Sequence, residues 1–77
     1  MARAYVLIET AVGKTGAVKA SLQHRPAVKS VDTVTGPYDL IVQIEGPDIS
    51  SIGRIVLDEI HTVEGVSRTI TCLVVDS

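Results

Sequence analysis

The segment of this 77-residue chain best equipped to hold a small molecule is Thr35-Gly36-Pro37-Tyr38-Asp39-Leu40. Glycine lets backbone N–H groups approach a ligand with no side chain in the way. Asp39 can receive an ammonium group, and Tyr38 offers a flat wall with a hydroxyl. Backbone donors for a carboxylate, next to a carboxylate for an amine, suit an amino-acid zwitterion. The same Gly-Pro-x-Asp pattern also builds ordinary turns.

Other reactive residues fit no catalytic pattern. Gly13-Lys14-Thr15 looks like the end of a phosphate-binding loop, but the glycine such a loop needs five residues earlier is Ile8. His24 and His61 fall at equivalent places near the ends of two amphipathic stretches, where a helix C-terminus favours them. Neither has further ligands at metal-site spacing, so no metal or cofactor is expected. Cys72 sits among apolar neighbours and reads as a small buried hydrophobe with no base beside it. Asp58 and Glu59 read as the solvated face of a helix. The chain is not expected to be an enzyme.

The elements that position the turn come from a tandem repeat. AYVLIET, an amphipathic stretch and AVKSVDTVT are followed by DLIVQIE, a second amphipathic stretch and TVEGVSRTIT. Alternating, β-branched residues predict strands over 4–10, 29–35, 38–45 and 66–75. Val18 and Leu22, at i and i+4, predict a helix over 14–25 that stops before Pro26. Asp48 predicts the N-cap of a second helix running to about His61, with Ile49, Ile52, Val56 and Ile60 at the helical period. Gly53 lies inside it, a costly place for glycine, and close packing on the sheet is the expected reason. The order βαββαβ, with right-handed crossovers, predicts an α+β ferredoxin-like domain over residues 1–77. Strands one and three are central in a four-stranded antiparallel sheet, and both helices cover one face.

The uncovered sheet face poses a problem. Strand one is apolar on both sides, and 45% of this small chain is apolar. A body of this size leaves apolar surface in water as a monomer. Dimerisation through the open faces is the simplest solution. The net charge of −2, with scattered basic residues, gives no electrostatic footprint for nucleic acid or an anionic membrane. An RNA-recognition fold shares this strand order but stacks bases on aromatics, and this chain has only Tyr5 and Tyr38. No apolar run reaches membrane-spanning length, the N-terminus lacks a signal-peptide layout, and one cysteine permits no internal disulfide. A cytoplasmic location is expected.

AYVLIET, VKSVDTVTGPYDLIVQIEG with its Gly-x-Tyr-Asp turn, and VEGVSRTITCLVV with its Arg-Thr-x-Thr pattern together resemble the effector-binding (RAM) domain of the Lrp/AsnC, or feast/famine, transcriptional regulators. The resemblance covers nearly the whole chain. It implies a ferredoxin-like fold that dimerises through its sheets, with dimers assembling into rings of four or five (an octamer or decamer). It also implies a small effector, usually an amino acid, bound between dimers near the hairpin turn. Carried over residue by residue, the site comprises Thr35, Gly36, Tyr38 and Asp39 of the turn, with Thr69 and Thr71 of the last strand. Asp39 would take the ligand amine and the turn backbone its carboxylate.

Typical family members carry an N-terminal helix-turn-helix, whereas here three residues precede the first predicted strand. A stand-alone sensing domain without direct DNA contact is therefore expected, with full-length Lrp/AsnC regulators as candidate partners in mixed rings. The competing readings are a dimeric α+β barrel enzyme, which needs a reactive residue facing a cavity, and a purely structural ring-former.

Overall fold

The computed structural model describes residues 1–76. The elements are β1 (Ala2–Thr10), α1 (Thr15–Gln23), β2 (Val28–Thr33), β3 (Leu40–Gly46), α2 (Ile49–Ile55) with a π-helical continuation (Val56–Ile60), and β4 (Val66–Leu73). The sheet order is β2-β3-β1-β4, and the three pairings are antiparallel. The βαββαβ architecture is the one the repeat predicts, with β1 and β3 central.

The sheet's two faces follow from strand alternation. Ala4, Val6 and Ile8 of β1, with Leu40, Val42 and Ile44 of β3, are buried beneath Val18, Leu22, Ile52, Val56 and Ile60 of the helices. Tyr5 and Leu7 point to the other face, where register places Ile41 and Ile70 beside Leu7 and Cys72 beside Tyr5. Among the described residues no layer covers that face, and Tyr5 and Ile70 are exposed. Cys72 is exposed there too, which corrects the expectation of a buried cysteine. The strand pattern around it is apolar, but the side it faces is the uncovered one.

Each half of the repeat carries a bulge at the start of its second strand. Successive residues of β3, Ile44 and Gln43, oppose Val28 and Ser30, leaving Lys29 extra. Likewise Thr10 and Glu9 oppose Val66 and Arg68, leaving Ser67 extra. Bulges of this kind sharpen strand twist, and here both occur where the chain re-enters the sheet from a helix.

The second helix is not α-helical throughout. The His61 N–H donates to the Val56 carbonyl at 2.9 Å, a five-residue step. Its buried residues, Ile52, Val56 and Ile60, recur every four positions. An α-helix of 3.6 residues per turn would rotate such a row away from the core, and the wider π-turn keeps Ile60 facing the sheet.

Asp48 caps α2 as its position predicts, with Oδ1 accepting from the Ser51 N–H and hydroxyl, each at 2.8 Å. These bonds hold the Asp48 carboxyl below its ordinary value of 3.8, with the backbone donor as the largest cause. A depressed folded-state pKa contributes stability above the unfolded value, and that stability is lost as pH falls through the folded one. Acid titration of unfolding should therefore show a loss below about pH 3.8 that Asp48→Ala lacks, together with a lower midpoint for that variant at neutral pH.

Gly53 does not approach the sheet. A Cβ built on it would meet nothing within 4 Å, so close packing is not the reason for this glycine. Gly46 at the end of β3 is a tighter place, where a Cβ would lie 3.1 Å from Ser51 Cβ.

Candidate functional site

The hairpin connection, residues 34–39, lies at the end of the sheet where β1 finishes. Gly36 has φ +135°, a conformation that L side chains rarely adopt, so the turn needs glycine there for its backbone path. Thr35 and Gly36 are exposed, while Tyr38 and Asp39 are half-buried. Strand β3 begins at Leu40 rather than 38, so both residues belong to the turn.

Asp39 is tied into the fold on both its backbone and its side chain. Its N–H donates to the Ile8 carbonyl and its own carbonyl accepts from Val34, each at 2.9 Å. Its Oδ2 accepts from the Thr10 N–H at 2.8 Å and from the Thr10 hydroxyl at 3.1 Å. The Thr10 and Thr15 hydroxyl oxygens are 2.6 Å apart. A hydroxyl carries one proton and Thr10 gives its own to Asp39, so Thr15 donates to Thr10. One carboxylate thus locks the hairpin to the end of β1 and, through Thr15, to the first residue of α1. Among the described residues Oδ1 accepts no hydrogen bond.

Thr69 and Thr71 lie on the outer strand β4, opposite Ile8 and Val6, and therefore on the helix side of the sheet. Thr69 Oγ1 is 2.7 Å from His61 Nε2. His61 closes the π-helical segment, so this bond ties the helix end to the strand edge. Around it lies an open cleft of about 430 Å³, lined by His61, Val66, Ser67, Arg68 and Thr69. Arg68 also pairs with Glu9 at 3.6 Å, both side chains well exposed. Thr71 lies in an adjoining apolar groove of about 400 Å³ formed by Ile49, Ile52, Gly53, Val56 and Leu57 of the helix with Leu73 of β4. Sequence reasoning gave no sign of this groove. Ile49 and Leu57 were legible only as helical apolar positions, yet they are exposed along its rim.

The six residues that the sequence predicts for a site therefore fall into two groups. Strand β1 lies between β3 and β4, which separates the groups by about 10 Å, two strand spacings. Neither cleft along β4 is lined by the turn. His24 caps α1 and is exposed. Among the described residues no group of three or more His, Cys, Asp or Glu is placed to hold a metal ion. No helix among them is long and apolar enough to cross a membrane.

Comparison with known proteins gives this arrangement a family. The sequence model for the Lrp/AsnC ligand binding domain matches residues 3–77. A segment of the homocitrate synthase of Sulfurisphaera tokodaii is 40% identical over 60 residues, which is 78% of this chain and 13% of that protein. The HTH-type transcriptional regulator LysM of Saccharolobus solfataricus is 35% identical over 68 residues, 87% of this chain and 47% of the regulator. The chain thus spans less than half the length of the curated relatives it matches, most of which are HTH-type transcriptional regulators. Among solved structures, TTHA0845 of Thermus thermophilus superposes with a TM-score of 0.94 at 34% identity, covering 100% of this chain and 96% of that one. The regulator NMB0573 of Neisseria meningitidis, in complex with L-Met, has the same fold, with a TM-score of 0.85 at 23% identity over 97% of this chain and 50% of its own. With the fold, the repeat and a family match across almost its whole length in agreement, the chain belongs to the Lrp/AsnC ligand-binding domain family.

Proposed function

We propose that this domain binds an amino acid and uses it to control assembly, as a non-enzymatic module of transcriptional regulation in the cytoplasm. The observation that carries the reading is the split site. Thr35, Gly36, Tyr38 and Asp39 lie across β1 from Thr69 and Thr71. A single amino acid reaches both groups only when a second copy brings its turn to the β4 edge. A ligand shared in this way favours the assembled state over the free one, which is what coupling between binding and assembly requires.

Within that site the Asp39 Oδ1 takes the ligand ammonium, the turn backbone takes the carboxylate, and the β4 hydroxyls add hydrogen bonds. The L-Met complex of the Neisseria regulator supports an amino acid as a ligand class for this fold. The open sheet face, with Tyr5, Leu7, Ile41 and Ile70, supports a homodimer through facing sheets, built into a ring of four or five dimers. The family's HTH-type regulators are natural co-assembly partners, and no surface of this domain is assigned to DNA.

Thermal unfolding with each of the twenty amino acids at millimolar concentration, paired with sedimentation velocity, tests the proposal. A ligand at about 100 times its Kd adds roughly 2.7 kcal/mol. One or a few amino acids should raise the midpoint by several degrees and also shift the sedimentation profile. Flat melting curves across the panel would end the amino-acid reading and leave a structural ring-former. A raised midpoint with unchanged sedimentation would remove the assembly half.

A further inference from the structure

We infer that the helix layer is a second self-association surface, on which two copies of this chain pair α1 against α2 through opposite charges, without a ligand and without the open sheet face. The fold gathers charges that are spread along the sequence. Residues 11–31 hold Lys14, Lys19, Arg25 and Lys29 and no Asp or Glu. Residues 45–64 hold Glu45, Asp48, Asp58, Glu59 and Glu64 against the single cation Arg54. The first helix packs on β2 and the second on β3 and β1, so the basic helix lies toward the β2 edge and the acidic one toward β4. Among the described residues the one ion pair is Glu9 with Arg68, so no charge on either helix has an ion-pair partner within the chain.

The charges also match by level. Thr15 at the start of α1 and His61 at the end of the second helix are both tied to the end of the sheet where β1 finishes. Lys19 lies one turn into α1 from that end, and Asp58 and Glu59 lie in the last turn of the second helix. At the opposite end Arg25 follows α1 and Asp48 caps α2. A two-fold axis parallel to the helices lays α1 of one copy on α2 of the other and preserves these levels. Lys19 then meets the Asp58 and Glu59 carboxylates, Arg25 meets Asp48, and symmetry makes each contact twice. A two-fold axis across the helices lays α1 on α1, and the like charges it brings together disfavour it.

The surface between these charges permits close approach. Gly16, Ala17, Ala20 and Ser21 are exposed on α1, and Arg54 of the opposed helix meets these uncharged residues instead of another cation. Small residues at a helix contact bring the axes toward the short end of the usual range, about 8–10 Å. The two longest dimensions of the molecule are 34 and 22 Å. A full face therefore offers roughly 700 Å² per copy, close to the ~800 Å² of a standard interface. Lys14 stands apart from this contact. A Cβ on Gly65 would lie 2.9 Å from the Lys14 Cβ, so Lys14 sits against the loop that carries Glu64. The helix layer and the open sheet face are opposite sides of the molecule, so a copy paired through one keeps the other, and alternate use of the two builds a stack.

Sedimentation velocity of the full chain in about 20 mM and about 500 mM NaCl tests the pairing, because salt screens exposed ion pairs far more than apolar contacts. A larger species should be present at low salt and dissociate at high salt to a size that further salt leaves unchanged. Lys19→Glu and Asp58→Lys each reverse a charge at two symmetric contacts, and each should weaken the low-salt association by about tenfold or more. The double variant Lys19→Glu/Asp58→Lys restores opposite charges and should recover most of it, with melting curves showing that all three variants fold. A low-salt species that neither single variant weakens, or a double variant no stronger than the singles, overturns the α1–α2 pairing. Absence of any salt-dependent species overturns the surface altogether. The measurement contains no amino acid, so neither failure touches the proposed ligand response.

Discussion

Gly65→Val should be the most damaging single substitution outside the hydrophobic core. Gly65 has φ +101°, and a Cβ on it would fall 2.9 Å from both Lys14 Cβ and Val18 Cγ2. Neither atom is the free end of a flexible side chain, so relief requires moving α1 or the loop before β4. The loop is held in place by the Ala11 N–H, which donates to the Gly65 carbonyl at 2.8 Å. Backbone strain and overpacking act together here, and the expected loss is roughly 2–5 kcal/mol. Against a total stability of about 5–15 kcal/mol, denaturant unfolding should show a much lower midpoint or no folded baseline. Gly53→Ala should move the other way, because its Cβ enters open space and helical propensity improves by up to about 1 kcal/mol. Equal behaviour of the two variants would mean that the contacts at Gly65 are not rigid.

Asp39 should show two separable roles. Replacement by alanine removes the acceptor for the half-buried Thr10 N–H and for the Thr10 hydroxyl. An unsatisfied donor of this kind costs about 1–3 kcal/mol. The lock between hairpin, β1 and α1 should loosen, with faster amide exchange at Thr10 and Thr15 as the local readout. Asp39→Asn keeps an oxygen that accepts from Thr10, so most of that stability should return. It also removes the negative charge that an ammonium group would need. Under the proposed function, the alanine variant loses both stability and ligand response, whereas the asparagine variant loses mainly ligand response. An asparagine variant with the full ligand-induced midpoint shift would make Asp39 a positioning residue and transfer the amine to another group.

Much of the fold is legible in the sequence because it rests on local patterns. Alternation in AYVLI and LIVQI names the strands, Val18 with Leu22 names the face of the first helix, and Asp48 announces the second. Each feature depends on neighbours within one or two turns of chain, so composition and spacing suffice. The boundaries moved where tertiary hydrogen bonds set them. The regular strands stop at Thr33 and Leu40, and Asp39 beyond them bonds to Val34, Ile8 and Thr10.

By itself, then, the sequence determined the βαββαβ order, the central position of β1 and β3, the turn chemistry at Gly36 and the family. Tertiary structure alone decided which side of each strand met the helices, and that choice turned Cys72 outward and Thr69 and Thr71 toward the β4 groove. It also committed one Asp39 oxygen to the fold, wound the second helix into a π-turn, and placed β1 between the two halves of the proposed site. The physical reason is range. Helix caps, alternation and turns are fixed by interactions a few residues long. Grooves, shared carboxylates and sheet faces depend on residues such as Thr10 and Asp39, which lie 29 positions apart and meet only when the sheet closes.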